Sequence, residues 1–344
     1  MNKMKRGRQS NFELFRILSA FLIIMHHYAI HSTWHFEEGT INKQIFLDIV
    51  GSAGKFGVNC FLLISGYFLV KTSFKPKKIF LLWFEVFFYS VGIFLVMVFY
   101  SKEAPILDWK NLITVGMPIT FNQYWFVSYY VLFYCLAPIM NILVKHMVRR
   151  QHIFILLILF VFLSIKPVIM TLNGMHSNTE NGLWFLFVYL IAAYIREYPE
   201  YFSKSAKNYF LKSFVIVSVI FLLIIELDKY NLEAKNTLSK SLIFDISSPI
   251  YLVLAVFLFC GFKNWRVRTI PVINLVGSAT LGVYLIHDNK FVRPYLWKEL
   301  TAYKESYNDS NLVVETIIIV VSVYFICSFI DIFRQKIFKI VHIA

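Results

Sequence analysis

Residues 11–31, NFELFRILSAFLIIMHHYAIH, are apolar enough to cross a membrane yet carry Arg16 in their first half and His27 in their second. The two positions are eleven residues apart. At about 100° per residue that separation is about 1100°, within about 20° of three full helical turns, so both side chains fall on one face. At about 1.5 Å per residue they stand about 16 Å apart along the axis. An ionisable side chain facing lipid is costly, so this face is expected to line a protein interior or a wet cavity, and a functional site follows as the first expectation.

The rest of the chain sets the same class. Its 344 residues are 58% hydrophobic, 18% aromatic and only 16% charged. Soluble domains hold about 25% charged residues, and a row of spans of about 20 residues each consumes this length. The expectation is an all-α polytopic helical bundle, with residues 1–344 forming a single transmembrane domain and no separate soluble domain. A net charge of +14 invites a nucleic-acid reading. The basic residues instead fall in short clusters between apolar runs, as a positive-inside bias places them, so no nucleic-acid partner is expected. Cys60, Cys135, Cys260 and Cys327 all lie inside apolar runs without metal-ligand spacing, and read as small hydrophobes. The basic N-terminus resembles the start of a signal peptide. Glu13 and Arg16 in the apolar run, and the absence of a small-residue cleavage site after it, favour a retained first span.

Hydropathy places about ten spans, near 12–30, 56–70, 79–100, 124–144, 152–172, 182–195, 209–225, 248–262, 272–287 and 312–332. Counted by alternate connections, 21 of the 34 lysines and arginines fall on one side and 12 on the other, with Arg16 inside the membrane. The richer side includes both termini, which are therefore expected in the cytoplasm, the whole being a multi-pass protein of the cell membrane. The connections near 226–247 and 288–311 are the longest polar stretches, candidates for walls or lids of an outward-facing site.

Histidine takes a proton from a hydroxyl near neutral pH, and arginine grips a phosphate with two parallel N–H groups. With Arg16 toward the cytoplasmic side and His27 toward the outer side, a donor with a phosphate-bearing head and an extended acyl arm fits the separation. Acyl-coenzyme A is such a molecule. The bland readings are a snorkelling arginine and an interfacial histidine among His26, His31 and His35. Their shared face favours a functional pair, and His26, about 100° away, is the weaker candidate.

Four segments in order carry a resemblance: the Arg16-to-His27 spacing, GVNCFLLISGYFL at 57–69, YWFVSYYVLFYCLAP at 124–138, and GVYLIH at 282–287. Together they resemble the acyltransferase-3 family of membrane O-acyltransferases, over nearly the whole chain. The resemblance implies about ten helices around a central cavity and an acyl-CoA donor entering from the cytoplasm. It also implies transfer of an acetyl or similar short acyl group to a sugar hydroxyl on the outer side. His27 would then be the base and Arg16 a donor-binding residue. Many members carry an arginine pair soon after the second span; here the stretch is KTSFKPKK at 71–78. Lys75, Lys77 and Lys78 can attract CoA phosphates as point charges but lack the guanidinium fork.

Supporting residues follow from position. Glu13, one turn before Arg16, can orient it or simply mark the interface, and Glu85 in the third span can pair with Arg16 or a donor-binding lysine, or form a purely structural ion pair. His287 and Asp288 close the ninth span on the outer side, where they can contact the acceptor or simply cap the helix at the interface. Tyr124 and Trp125 start the fourth span where aromatic residues gather at the membrane interface and where aromatic faces also stack on sugars. Ser65 and Gly66 permit a close helix approach. No P-loop, dinucleotide fingerprint or zinc motif is present, so no bound cofactor or metal is expected, acyl-CoA serving as co-substrate. The expected acceptor is a bacterial cell-surface polysaccharide or its lipid-linked precursor, with membrane lipid around the bundle; assembly into a homo-oligomer is left open. The competing function is a transporter or flippase for a lipid-linked sugar, in which Arg16 grips a phosphate, although no internal repeat or paired broken helices support it.

Overall fold

A computed structural model describes residues 8–34, 41–100, 107–173, 175, 181–234, 245–299 and 311–341. Among these the secondary structure is helical throughout, with no strand. The principal helices are α1 (Ser10–His31), α2 (Ile41–Leu69), α3 (Pro76–Tyr100), the short α4 (Trp109–Gly116), α5 (Trp125–His146), α6 (Arg149–Leu172) and α7 (Asn181–Glu197). They continue as α8 (Ala206–Ala234), α9 (Pro249–Asn264), α10 (Pro271–Ser278), α11 (Thr280–His287) and α12 (Leu312–Ile340). Seven of them, α1, α2, α3, α5, α6, α8 and α12, are long and apolar enough to cross a membrane; α7, α9 and the α10–α11 pair are shorter. The protein is a multi-pass membrane protein. Every expected span coincides with one of these helical segments.

One boundary departs from expectation. The second span was expected at 56–70, yet α2 begins at Ile41. Its first half holds Lys43, Asp48 and Lys55, which break the hydropathy run. In that half Leu47 and Val50 to Gly54 are buried, and 78% of the most apolar window of α2 is buried, against 11% for the peripheral α6. A helix enclosed by other helices can carry polar residues that a lipid-facing one cannot. α2 is the central helix, packed most extensively on α1 and also on α7 and α9. At Gly57 a Cβ would stand 3.0 Å from the Ser19 carbonyl oxygen of α1, so glycine permits that close approach.

Between helices in a membrane, apolar burial supplies little driving force, because lipid tails are as apolar as leucine; packing and polar contacts remain, each interhelical hydrogen bond contributing about 0.6 kcal/mol on average. The contacts are spread accordingly. Asn11 Nδ2 donates to the Phe262 carbonyl (2.9 Å), tying α1 to α9, and Trp184 Nε1 donates to Asn59 Oδ1 (2.8 Å), tying α7 to α2. On the outside, Phe99, Leu222 and Phe329 are exposed apolar side chains of α3, α8 and α12, the surface expected where lipid replaces water.

Two helices are irregular for identifiable reasons. In α6 a π-turn at Val161–Ile165 precedes Pro167, which has no N–H to give. There Ser164 Oγ donates to the Ser247 carbonyl at 2.5 Å. The segment 271–287 is broken at Ala279 into α10 and α11. Carbonyls near the break find side-chain donors: Thr280 Oγ1 reaches Gly277 O (3.1 Å) and Gln335 Nε2 of α12 reaches Ser278 O (3.3 Å).

Candidate functional site

A cavity of about 730 Å³ runs along one face of α1, a size suited to a ligand with an extended arm. Arg16 and His27 both line it, at opposite ends, as the eleven-residue spacing predicts. Its middle is bounded by Phe61, Ser65, Trp125, Phe126 and Tyr130 from α2 and α5. Ser65 lies at hydrogen-bond distance from the Tyr130 hydroxyl and fixes that part of the wall.

At the N-terminal end of α1, Glu13 is buried and accepts from two arginines. Arg16 Nη1 donates to its Oε1 at 2.5 Å, and Arg8 Nη1 to its Oε2 at 3.1 Å. The carboxylate thus holds Arg16 from one turn away. The Arg16 side chain keeps 25% exposure, and its other N–H groups have no protein acceptor among the described residues. Two arginines share one carboxylate, so the cluster retains a positive charge, to which Lys78 adds from the cavity wall. Such a cluster suits a phosphate.

At the other end the hydrogen bonds assign the protons. His287 Nδ1 lies 2.6 Å from the Val283 carbonyl, which can only accept, so that nitrogen carries the hydrogen. With the ring neutral, His287 Nε2 is then an acceptor. His27 Nδ1 lies 2.9 Å from it and must donate. His27 Nε2 is left without a hydrogen, on a ring that lines the cavity. Asp288 Oδ1 stands 3.6 Å from His27 Nδ1 and pairs with Arg293 Nη2 at 2.7 Å. A proton gained at Nε2 would make His27 an imidazolium beside this carboxylate. The arrangement is that of a general base oriented by a second group. Ligand atoms of His27, His31 and Asp288 lie within 4.8 Å of one another, a spacing that can suit a cation. His27 Nδ1 and Asp288 Oδ1 are already engaged, by His287 and Arg293.

The other expected site residues divide. Trp125, Ser65, Lys78 and Glu85 line the cavity. Lys75 and Lys77 are exposed and lie outside its lining, because only the last of the three lysines faces it from the start of α3. Glu85 pairs with neither Arg16 nor a lysine: its Oε1 accepts from Arg334 Nη2 of α12 at 2.8 Å. Arg334 Nε also donates to Asp331 Oδ1 (2.9 Å), and Tyr89 donates to the same oxygen (2.7 Å), giving a buried network across α3 and α12. His287 sits behind His27, outside the cavity lining. Tyr124 is buried there too, donating to the Leu285 carbonyl (3.1 Å) and accepting from Asn289 Nδ2 (2.6 Å), so it braces the end of α11 and lies outside the cavity. Lys55, His31 and Arg293 also line the His27 end of the cavity, and sequence reasoning assigned none of them a role in the site. Of the two polar connections expected to act as lids, 235–244 and 300–310 lie outside the described residues, whereas Asp288 and Arg293 of the second contribute to the cavity wall.

The described residues form an all-helical membrane bundle whose cavity joins a cationic cluster to an oriented histidine, the layout of a membrane-embedded enzyme site. The acyltransferase domain matches residues 9–332. The chain therefore belongs to the acyltransferase-3 family and is a membrane acyltransferase. No curated protein and no solved structure matched it.

Proposed function

We propose that the protein moves an acetyl or similar short acyl group from cytoplasmic acyl-CoA to a sugar hydroxyl of a cell-surface polysaccharide or its lipid-linked precursor. Both termini lie in the cytoplasm of a cell-membrane protein in this reading, following the lysine and arginine asymmetry. The observation that carries it is the continuous cavity from Arg16 to His27, ending on a histidine nitrogen that has no hydrogen. Arg16, with Lys78 and Arg8, holds the donor phosphates at one end, and Glu13 positions the guanidinium. The pantetheine arm passes Ser65 and Tyr130 and brings the thioester to His27.

The chemistry then balances within the site. The acceptor hydroxyl oxygen attacks the thioester carbonyl while His27 Nε2 takes the hydroxyl proton. Collapse of the tetrahedral intermediate breaks the carbon–sulfur bond. The sulfur leaves as thiolate and receives that proton from His27, giving an ester and free CoA thiol. His287 acts as a positioning residue that fixes the tautomer of His27, and Asp288 balances the transient imidazolium. Trp125 offers an aromatic face to the sugar.

The test compares ester-linked acyl groups on surface polysaccharide from cells with no protein, with wild type and with His27→Ala, using mass spectrometry and NMR at matched expression. Esters are expected with wild type alone. Equal esters with His27→Ala would remove the histidine from the chemistry. Unchanged esters in all three, together with no binding of labelled acetyl-CoA or succinyl-CoA to purified protein, would overturn the donor and acceptor assignment.

A further inference from the structure

Two cations at the His27 end of the cavity have no part in the mechanism above. Lys55 lies on α2 beside Gly54, where a Cβ would run into the His26 side chain, so it stands level with the outer half of α1. Among the described residues no carboxylate comes within ion-pair distance of its ammonium; Asp245 acts on it only from farther off. Arg293 Nη2 forms an ion pair with Asp288 Oδ1 (2.7 Å) and donates to the Asp288 carbonyl (3.2 Å). Its Nε is buried with no acceptor. Asp288, the carboxylate lining this end, is thus paired with Arg293, and Lys55 has no ion-pair partner among the described residues on a wall that also holds Ile23, Ile30, Val58 and Phe61. A cation against such walls is poorly solvated and gains from a bound oxyanion far more than it would in water. A neutral sugar can offer its hydroxyl oxygens as acceptors but no compensating charge.

Resting on the acyl-transfer reading, we infer that the acceptor is an anionic glycan whose phosphate or carboxylate is held by Lys55, with Arg293 Nε as a second donor, while its hydroxyl meets His27. The two cations are not equivalent neighbours of the base: of the charges acting on the two adjacent rings, Lys55 bears on His26 and Arg293 on His27. Lys55 is therefore offset from the reacting centre, where a substituent on the acceptor would sit. Phosphate and carboxylate share the needed chemistry, and a phosphate can belong to the sugar or to a lipid carrier.

The experiment uses the full chain in lipid nanodiscs with labelled acetyl-CoA. Four matched oligosaccharide acceptors are offered: neutral, uronate-bearing, phosphorylated, and linked through diphosphate to a polyprenyl chain. Wild type is expected to favour at least one charged acceptor over the neutral one by about tenfold or more in kcat/KM, as one charge-assisted hydrogen bond permits. Which charged acceptor wins identifies the source of the anion. Lys55→Gln should raise KM for the preferred charged acceptor by about tenfold and erase its advantage over the neutral one. Lys55→Arg should keep it, and an unchanged acetyl-CoA affinity in both variants shows that they fold. A neutral acceptor used as well as the charged ones, or a kcat loss in Lys55→Gln that is equal for all four, would overturn the inference; the latter would place Lys55 at the thioester oxygen. Acylation by wild type with no charge preference leaves the acyl-transfer reading standing and removes only this inference. Ester on none of the acceptors removes both.

Discussion

The two ends of the cavity solve opposite problems. At the N-terminal end of α1, Arg16 is a quarter exposed, and its partner Glu13 is shared with the still more exposed Arg8. At the C-terminal end His27 and His287 are buried, and the bonds between them and Val283 leave one proton arrangement for neutral rings. A charged head group needs attraction, which falls off gradually with distance and tolerates small displacements. Proton transfer needs a particular nitrogen to be bare, which is decided by one hydrogen bond. The first end should therefore respond to substitution in donor affinity, by degrees, and the second in turnover, steeply.

The steep end offers the largest effect. Loss of a general base costs about 10²–10⁴-fold, the drop expected in kcat for His27→Ala with donor affinity retained. His287 sharpens the comparison because it acts only through His27. His287→Phe keeps a ring but no acceptor, so His27 Nδ1 loses its partner and the tautomer is no longer fixed; kcat should fall by at least about tenfold, short of the loss for His27→Ala. His287→Gln, which can place an amide oxygen near the position of the missing Nε2, should recover part of it. A filler of space would behave oppositely, with His287→Phe retaining more activity than His287→Gln, and stopped-flow turnover at saturating acyl-CoA separates the two.

This asymmetry also explains what the sequence could disclose. The shared face of Arg16 and His27 is legible because a membrane span holds few ionisable groups, so each one carries information and their spacing converts directly to geometry. The ten helical segments were legible for the same reason. The partners were not. Glu85 meets Arg334 from 249 residues away, and no local pattern ties a third-span acid to what reads as a basic cytoplasmic tail. Lys55 was hidden because hydropathy stops where polar residues begin, so the first half of α2 reads as a loop. Arg293 follows a span, where a cation is ordinary. Asp288 and His287 were visible as a pair at a helix end, but their roles depend on which ring nitrogen faces which atom, and that is set by packing alone.

At the graded end, Arg16→Ala should raise KM for acyl-CoA by about tenfold, the worth of a lost charge-assisted contact, with kcat changing less. Arg16→Lys should restore part of the affinity as a point charge without the fork. The effect should shrink for a donor truncated to acyl-pantetheine, which lacks the nucleotide phosphates. Equal effects on full and truncated donors would show that Arg16 does not read phosphate and would collapse the contrast between the two ends.

The three lysines between α2 and α3 provide the smallest and most discriminating effect. Lys75 and Lys77 are exposed and outside the cavity lining, whereas Lys78 contributes to it. A charge in bulk solvent is screened within about 8 Å at physiological ionic strength, so the first two can only add to a diffuse attraction for an incoming anion. Lys78→Ala should raise donor KM by about two- to threefold at physiological salt, as expected for a partly solvated charge worth at most about 1 kcal/mol. Lys75→Ala and Lys77→Ala should stay close to wild type there and depart from it only at low ionic strength, chiefly in the rate of donor association. If all three variants lost the same affinity at every salt concentration, the cationic end would extend well beyond the cavity, and the donor head group would rest on the surface, outside the mouth formed by Arg8, Arg16 and Lys78.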